Sequence, residues 1–172
     1  SMTQKYPNGQ KVLSPGTVIV TAVGEVSNVR KTVKPVASTD NNSELLYVDF
    51  SKGAFELGGS SLAQVLDKIG NNTPDVNDTA YFKNCFNTIQ KLIEEGLILA
   101  GHDVSAGGLI TTLLEMTFAN VEGGLNIDLS ALNNDLISVA FSEQPAVIIQ
   151  VKDARAKEIL KNNNIDFVVI GK

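Results

Sequence analysis

The feature that most limits what this chain can fold into is one long apolar stripe at helical spacing. Phe82, Cys85, Phe86, Ile89 and Ile93 recur at the period of a helix face between Thr79 and Glu95. Asp78 stands where an N-cap belongs, and Gly96 where such a helix stops. A helix of this kind needs an apolar surface to cover its stripe. Short β-branched or apolar runs supply one, and strands are expected at 17–23 (TVIVTAV, fully buried), 46–50, 97–100, 137–141, 146–151 and 165–170. LNIDL at 125–129 alternates like a half-buried strand, and SEQP between Phe141 and Ala146 reads as a hairpin turn. Further helices are expected over 62–69, closed by Gly70, from Ser105–Gly108 to about Asn120, and after Asp153. Strands interleaved with helices, with a hairpin among them, predict an α+β fold: a mixed, largely antiparallel sheet with packed helices.

With 172 residues the chain is long enough for one domain with its own core. Residues 1–14 are polar and rich in turn formers, so they read as a lead-in arm, and Ser1-Met2 as the remnant of an expression tag; residues 15–172 read as the domain. The net charge of −5 argues against a nucleic-acid or anionic-membrane partner. No apolar run approaches a membrane span, and TQKYPNGQK is too polar for a signal peptide. The single Cys cannot form an internal disulfide, so a reducing cytoplasm is expected.

The chemistry concentrates in AGHDVSAGGLITTLLEM, residues 100–116, which holds the only histidine of the chain. One His and one Cys cannot build a His/Cys zinc site. No GxxxxGK[ST] phosphate loop and no GxGxxG is present. His102, Asp103 and Ser105 are too close in sequence to form an ordinary triad, whose members converge from separate segments. Two readings stay open. In one, Gly107-Gly108 opens a helix whose free amides and dipole attract a phosphate, Ser105 donates to it, and Asp103 holds Mg²⁺. In the other, Ser105 is an N-cap, the glycines make a tight turn, and His102 only satisfies a local hydrogen bond. Gly58-Gly59-Ser60-Ser61 has the same form and the same two readings. Cys85 lies in the apolar stripe and reads as core. Arg30, Lys31 and Lys34 read as a solvated basic loop or a phosphate contact, and Glu143 as a hairpin-loop carboxylate in water or a catalytic group.

Several segments, in order, resemble the phosphoribosylformylglycinamidine synthase family of purine biosynthesis. GHDVSAGGLITTLLEMTFA resembles its HDxSxGGL segment, and SPGTVIVTAVGEVSNVRKTVKPVA its PG–strand–VRKTV-P stretch. FELGGSSLAQV is similar to LGGS-LAQV, and FSEQPAVIIQV to FSEELGAVIQV. The resemblance covers most of residues 14–152 and points to the second of two C-terminal-type domains related to aminoimidazole ribonucleotide synthetase. It implies a piece of an ATP- and glutamine-dependent C–N ligase that converts formylglycinamide ribonucleotide, ATP and glutamine to the amidine, ADP, phosphate and glutamate. The implied partners are an ATP-binding-type domain and a glutaminase domain of the same enzyme, so the fragment alone is expected to be inactive. The resemblance further implies Asp103 as a Mg²⁺ ligand, with Ser105, Gly107 and Gly108 at ATP or ADP in an auxiliary cleft. Two departures matter: Ala106 replaces an Asp common in the family, and SEQPA differs from SEELG, so no role passes to Glu143. The alternatives are the equivalent domain of another synthetase, such as a selenophosphate synthetase, and a stand-alone binding module.

Overall fold

The computed structural model describes residues 3–13, 19–26, 28–120, 122–133 and 135–172. Its centre is a four-stranded sheet built from β3 (Glu44–Asp49), β4 (Ala100–Asp103), β5 (Ala146–Val151) and β6 (Phe167–Gly171), in the order β4-β5-β3-β6. Every neighbouring pair in it is antiparallel. Before it come β1 (Thr3–Lys5) and β2 (Lys11–Leu13), an exposed antiparallel hairpin in the expected lead-in arm. Among the described residues five α-helices accompany the sheet: α1 (Ser61–Val65), α2 (Thr79–Glu94), α3 (Gly108–Glu115), α4 (Leu136–Phe141) and α5 (Ala154–Asn162).

Strand β3 shows why helices cover both faces. Successive side chains of a strand point to opposite sides. Leu46 and Val48 join Ile149 and Val151 of β5 under α2 and α5, where Cys85, Leu92 and Leu160 are fully buried. Leu45 and Tyr47 join Ile148 on the other face, against Leu109 and Leu113 of α3, Met116 and Val139 of α4. A continuous LLYV run is what a strand buried on both faces requires.

Helix α2 matches its sequence signal. Asp78 accepts the Tyr81 amide at 2.9 Å, and Gly96 leaves the helix at φ +70°. The expected strand at 97–100 instead begins at Ala100, so the Gly-His-Asp of the motif lies in β4. At 125–129 there is only a single bridge, Ile127 to Gly171.

Four further expectations fail. The run at 137–141 is not a strand but part of α4, and SEQP is a helix-to-strand link, not a hairpin. Asp135 decides this, because its carboxylate accepts the Ile137 and Ser138 amides at 3.1 and 3.2 Å and nucleates a turn. The helix expected over 62–69 stops at Val65, since Asp67 turns left-handed at φ +56°, leaving Leu66 and Ile69 exposed. The buried strand expected at 17–23 is not formed over its described residues. Ile19, Val20 and Val23 belong to no strand and are 87%, 83% and 94% exposed, because no sheet edge pairs with them; residues 17 and 18 lie outside the described residues.

Candidate functional site

Among the described residues strand β4 lies at one end of the sheet beside β5, with its Gly101 amide also donating to Lys34 O at 3.0 Å, and it carries the motif to the rim of the sheet. Gly101 faces Ile149, His102 faces Ile148 and Asp103 faces Val147. The Val104 amide extends the pairing to the Ala146 carbonyl at 2.9 Å, after which the chain turns into α3. The N-cap of α3 is Gly107, at φ +90°, with no side-chain capping bond. Ser105 is therefore not the N-cap. It is exposed, as are Asp103 and Ala106.

The two glycines are fixed by packing. A Cβ on Gly107 would lie 2.3 Å from Thr111 Oγ1, and one on Gly108 would lie 2.6 Å from the Phe141 carbonyl carbon. Their amides are already engaged: Gly108 donates to Ser105 O at 2.9 Å and Gly107 to Glu143 Oε1 at 2.8 Å. The outward-facing groups of the turn are thus the Asp103 carboxylate and the Ser105 hydroxyl.

His102 orients the strand end. Its Nδ1 lies 2.8 Å from the Asp103 carbonyl oxygen and its Nε2 lies 3.4 Å from Glu115 Oε2. Thr112 Oγ1 donates to the same Asp103 carbonyl at 3.1 Å, so the backbone is held while the carboxylate projects outward, 73% exposed. A groove of about 440 Å³ runs beside it, lined by Gly101, His102 and Asp103 with Val33, Pro35 and Ile98. A larger cavity of about 800 Å³, around Asp40, Asn120 and Lys172, contains none of the motif residues.

No group of three or more His, Cys, Asp or Glu side chains suited to a metal occurs among the described residues. The Asp103 carboxylate lies 3.4 Å from His102 Nδ1, and toward a metal it offers a single carboxylate, which suits a cation completed by phosphate oxygens, waters or other chains, as Mg²⁺ commonly is. The Ser105 hydroxyl beside it fits a phosphate contact.

Glu143 lies where α4 leads into β5. It is half-buried, not a loop carboxylate in water. Its Oε1 accepts the Ser61 amide of α1 and the Gly107 amide of α3, each at 2.8 Å. Partial burial pushes the carboxyl up, but the Gly107 and Ser61 hydrogen bonds outweigh it and hold the pKa below the ordinary glutamate value. Ser60 caps α1, its buried hydroxyl accepting the Ala63 amide at 3.2 Å and donating to Leu57 O at 2.7 Å. The capping reading therefore holds for that turn. Lys31 donates to Glu94 O at 2.7 Å, a structural contact at the end of α2. Cys85 is buried, and burial first of all pushes its thiol up, as a core position does.

Comparison with known proteins decides the relationship. The family "AIR synthase related protein, C-terminal domain" matches residues 51–172. The chain belongs to this family. It is 38% identical over 157 residues to the probable phosphoribosylformylglycinamidine synthase, chloroplastic/mitochondrial, of Arabidopsis thaliana. That match takes in 91% of this chain but 11% of the relative, so the chain spans about a tenth of the curated protein it resembles. PurL of Thermotoga maritima shares the fold. The form complexed with FGAR superposes with a TM-score of 0.65 at 17% identity, covering 84% of this chain and 26% of that one. The form complexed with ATP gives 0.58 at 18% identity, covering 84% and 23%.

Proposed function

We propose that this chain is a domain of a phosphoribosylformylglycinamidine synthase, completing a cleft that holds a Mg–nucleotide. The observation that carries the reading is the β4–α3 turn, where Asp103 and Ser105 both face outward from a framework fixed by His102, Thr112 and the two glycines. Asp103 is assigned to Mg²⁺ and Ser105 to a phosphate oxygen of ATP or ADP. Gly107 and Gly108, their amides engaged by Glu143 and Ser105 O, are assigned to the nucleotide site through the shape they give the turn. The 38% identity to a protein named as this synthase, and the ATP complex of a fold relative, support the assignment.

In this reading the rest of the synthase supplies the ATP-binding-type domain, the remaining metal ligands and the glutaminase. The exposed Ile19, Val20, Val23 and Val26 side chains are a natural contact for such neighbours, because isolated domains seldom leave a β-branched run bare. No helix among the described residues is long and apolar enough to cross a membrane. The free, buried Cys85 suits a reducing compartment such as the cytoplasm.

The test is ligand-induced stabilisation of the synthase that carries this chain. A ligand at a hundred times its Kd adds about 2.7 kcal/mol to the folded state. Asp103→Asn and Ser105→Ala should each shrink the rise in melting temperature caused by Mg·ADP. An undiminished rise in both variants rejects the assignment.

A further inference from the structure

Glu143 lies outside the motif that suggested the site, yet it touches both glycine turns. One carboxylate oxygen accepts two amides, Ser61 at the start of α1 and Gly107 at the start of α3, from segments 82 and 36 residues away in sequence. Ionised carboxylates are the strongest acceptors among side chains and can take several donors. A half-buried one is tolerated only when so satisfied. Its neighbours extend the linkage. The Phe141 backbone lies against Gly108 so closely that no Cβ fits between them. Gln144, 1% exposed, donates to the Tyr47 hydroxyl at 2.7 Å and to Asp49 Oδ1 at 3.3 Å on β3. The buried Ser142 hydroxyl and Gln144 Oε1 have no hydrogen-bond partner among the described residues. Glu143 thus joins the starts of α1 and α3 through hydrogen bonds that a shift in either turn would break, while Gln144 anchors the same segment to the central strand and Phe141 packs on the start of α3.

We propose that Glu143 is a positioning residue: it ties the Ser105-bearing turn to the Gly58–Ser61 turn, so that the two move as one unit when a phosphate binds. The proposal rests on the nucleotide reading given above. It assigns Glu143 no direct contact with the ligand. What matters is an acceptor oxygen at that place, and a glutamine supplies one of the same reach.

The experiment has two arms. In this 172-residue chain, amide hydrogen exchange is followed at Gly107 and Ser61, with the Leu46 and Val48 amides of β3 as controls. Glu143→Ala should speed exchange at both sites together, by about tenfold or more, the loss expected for a hydrogen bond to a charged acceptor. The β3 amides should stay unchanged. Glu143→Gln should restore most of the protection. In the synthase that carries this chain, Mg·ADP affinity should fall by about tenfold in Glu143→Ala and recover in Glu143→Gln, in step with the exchange. Unchanged protection at Gly107 or Ser61 in the alanine variant overturns the proposal. So does full Mg·ADP affinity despite loosened amides, provided Asp103→Asn weakens binding. A glutamine that restores protection at Gly107 and Ser61 but not Mg·ADP affinity would show that the charge acts at the ligand, which also overturns it. If Asp103→Asn and Ser105→Ala both leave Mg·ADP affinity intact, the nucleotide reading fails by itself, and the exchange arm still decides whether Glu143 couples the turns.

Discussion

Replacing Gly108 by alanine should be among the most damaging single-methyl additions in this fold. Gly108 has φ +74°, where a side chain costs about 1–2 kcal/mol. Its added Cβ would also meet Phe141 C at 2.6 Å, Phe141 Cα at 2.7 Å and Ala140 O at 2.8 Å. All three are backbone atoms, so no rotamer change relieves them, and overpacking of this kind costs about 1–3 kcal/mol more. The total is about 2–5 kcal/mol. Gly96 is the control: it has φ +70° but no heavy atom within 4 Å of an added Cβ. Gly96→Ala should cost only the backbone part, about 1–2 kcal/mol. Urea unfolding of both variants in parallel reads the difference as a shift in midpoint at constant slope. Thermal melts should separate them as well, at roughly 2–4 °C per kcal/mol for a chain of this size. If Gly108→Ala costs no more than Gly96→Ala, α3 does not pack against α4 as described.

Other expectations concern caps, protonation and the thiol. Asp78→Ala removes the cap of α2 and should destabilise the chain by about 1 kcal/mol in urea unfolding, with the loss absent in Asp78→Asn or Asp78→Ser. The depressed Glu143 pKa means that its ionised form stabilises the fold above the ordinary glutamate pKa of 4.5, and that this contribution is lost as the pH falls through the lower folded value. Glu143→Gln should remove that part of the acid dependence, visible as a flatter stability profile below pH 4.5; an unchanged profile would contradict the two-amide geometry. Cys85 should resist thiol reagents in the native chain and react readily in denaturant, and rapid native labelling would place it outside the core.

What the sequence made legible depended on whether the signal was local. Helix α2 carries its own period, cap and stop, so its limits follow from residues within it. The apolar run read as a strand at 46–50 is likewise local, and it forms β3 at Glu44–Asp49. LISVAF has no clear period and is six residues long, so only the Asp135 cap separates helix from strand, and a lone Asp before an apolar run marks a turn as readily as a cap. The TVIVTAV run has strong strand propensity, but propensity does not say whether a partner edge exists, and the described residues offer it none. Asp103 and Ser105 stood out through their motif, and both are exposed where β4 leads into α3. The sequence singled out Glu143 but not its contacts, because the amides it accepts lie 36 and 82 residues away, which no local pattern encodes.

The most direct test of the nucleotide site is the nucleotide content of the synthase that carries this chain. Protein purified in Mg²⁺ without added nucleotide is denatured, and the released ADP and ATP are quantified by chromatography against protein concentration. If Asp103 ligates the metal and Ser105 the phosphate, the unaltered enzyme should release bound nucleotide, and Asp103→Asn should release much less while keeping its far-ultraviolet circular dichroism. Equal nucleotide from the unaltered enzyme and the Asp103→Asn variant would contradict the assignment of the β4–α3 turn.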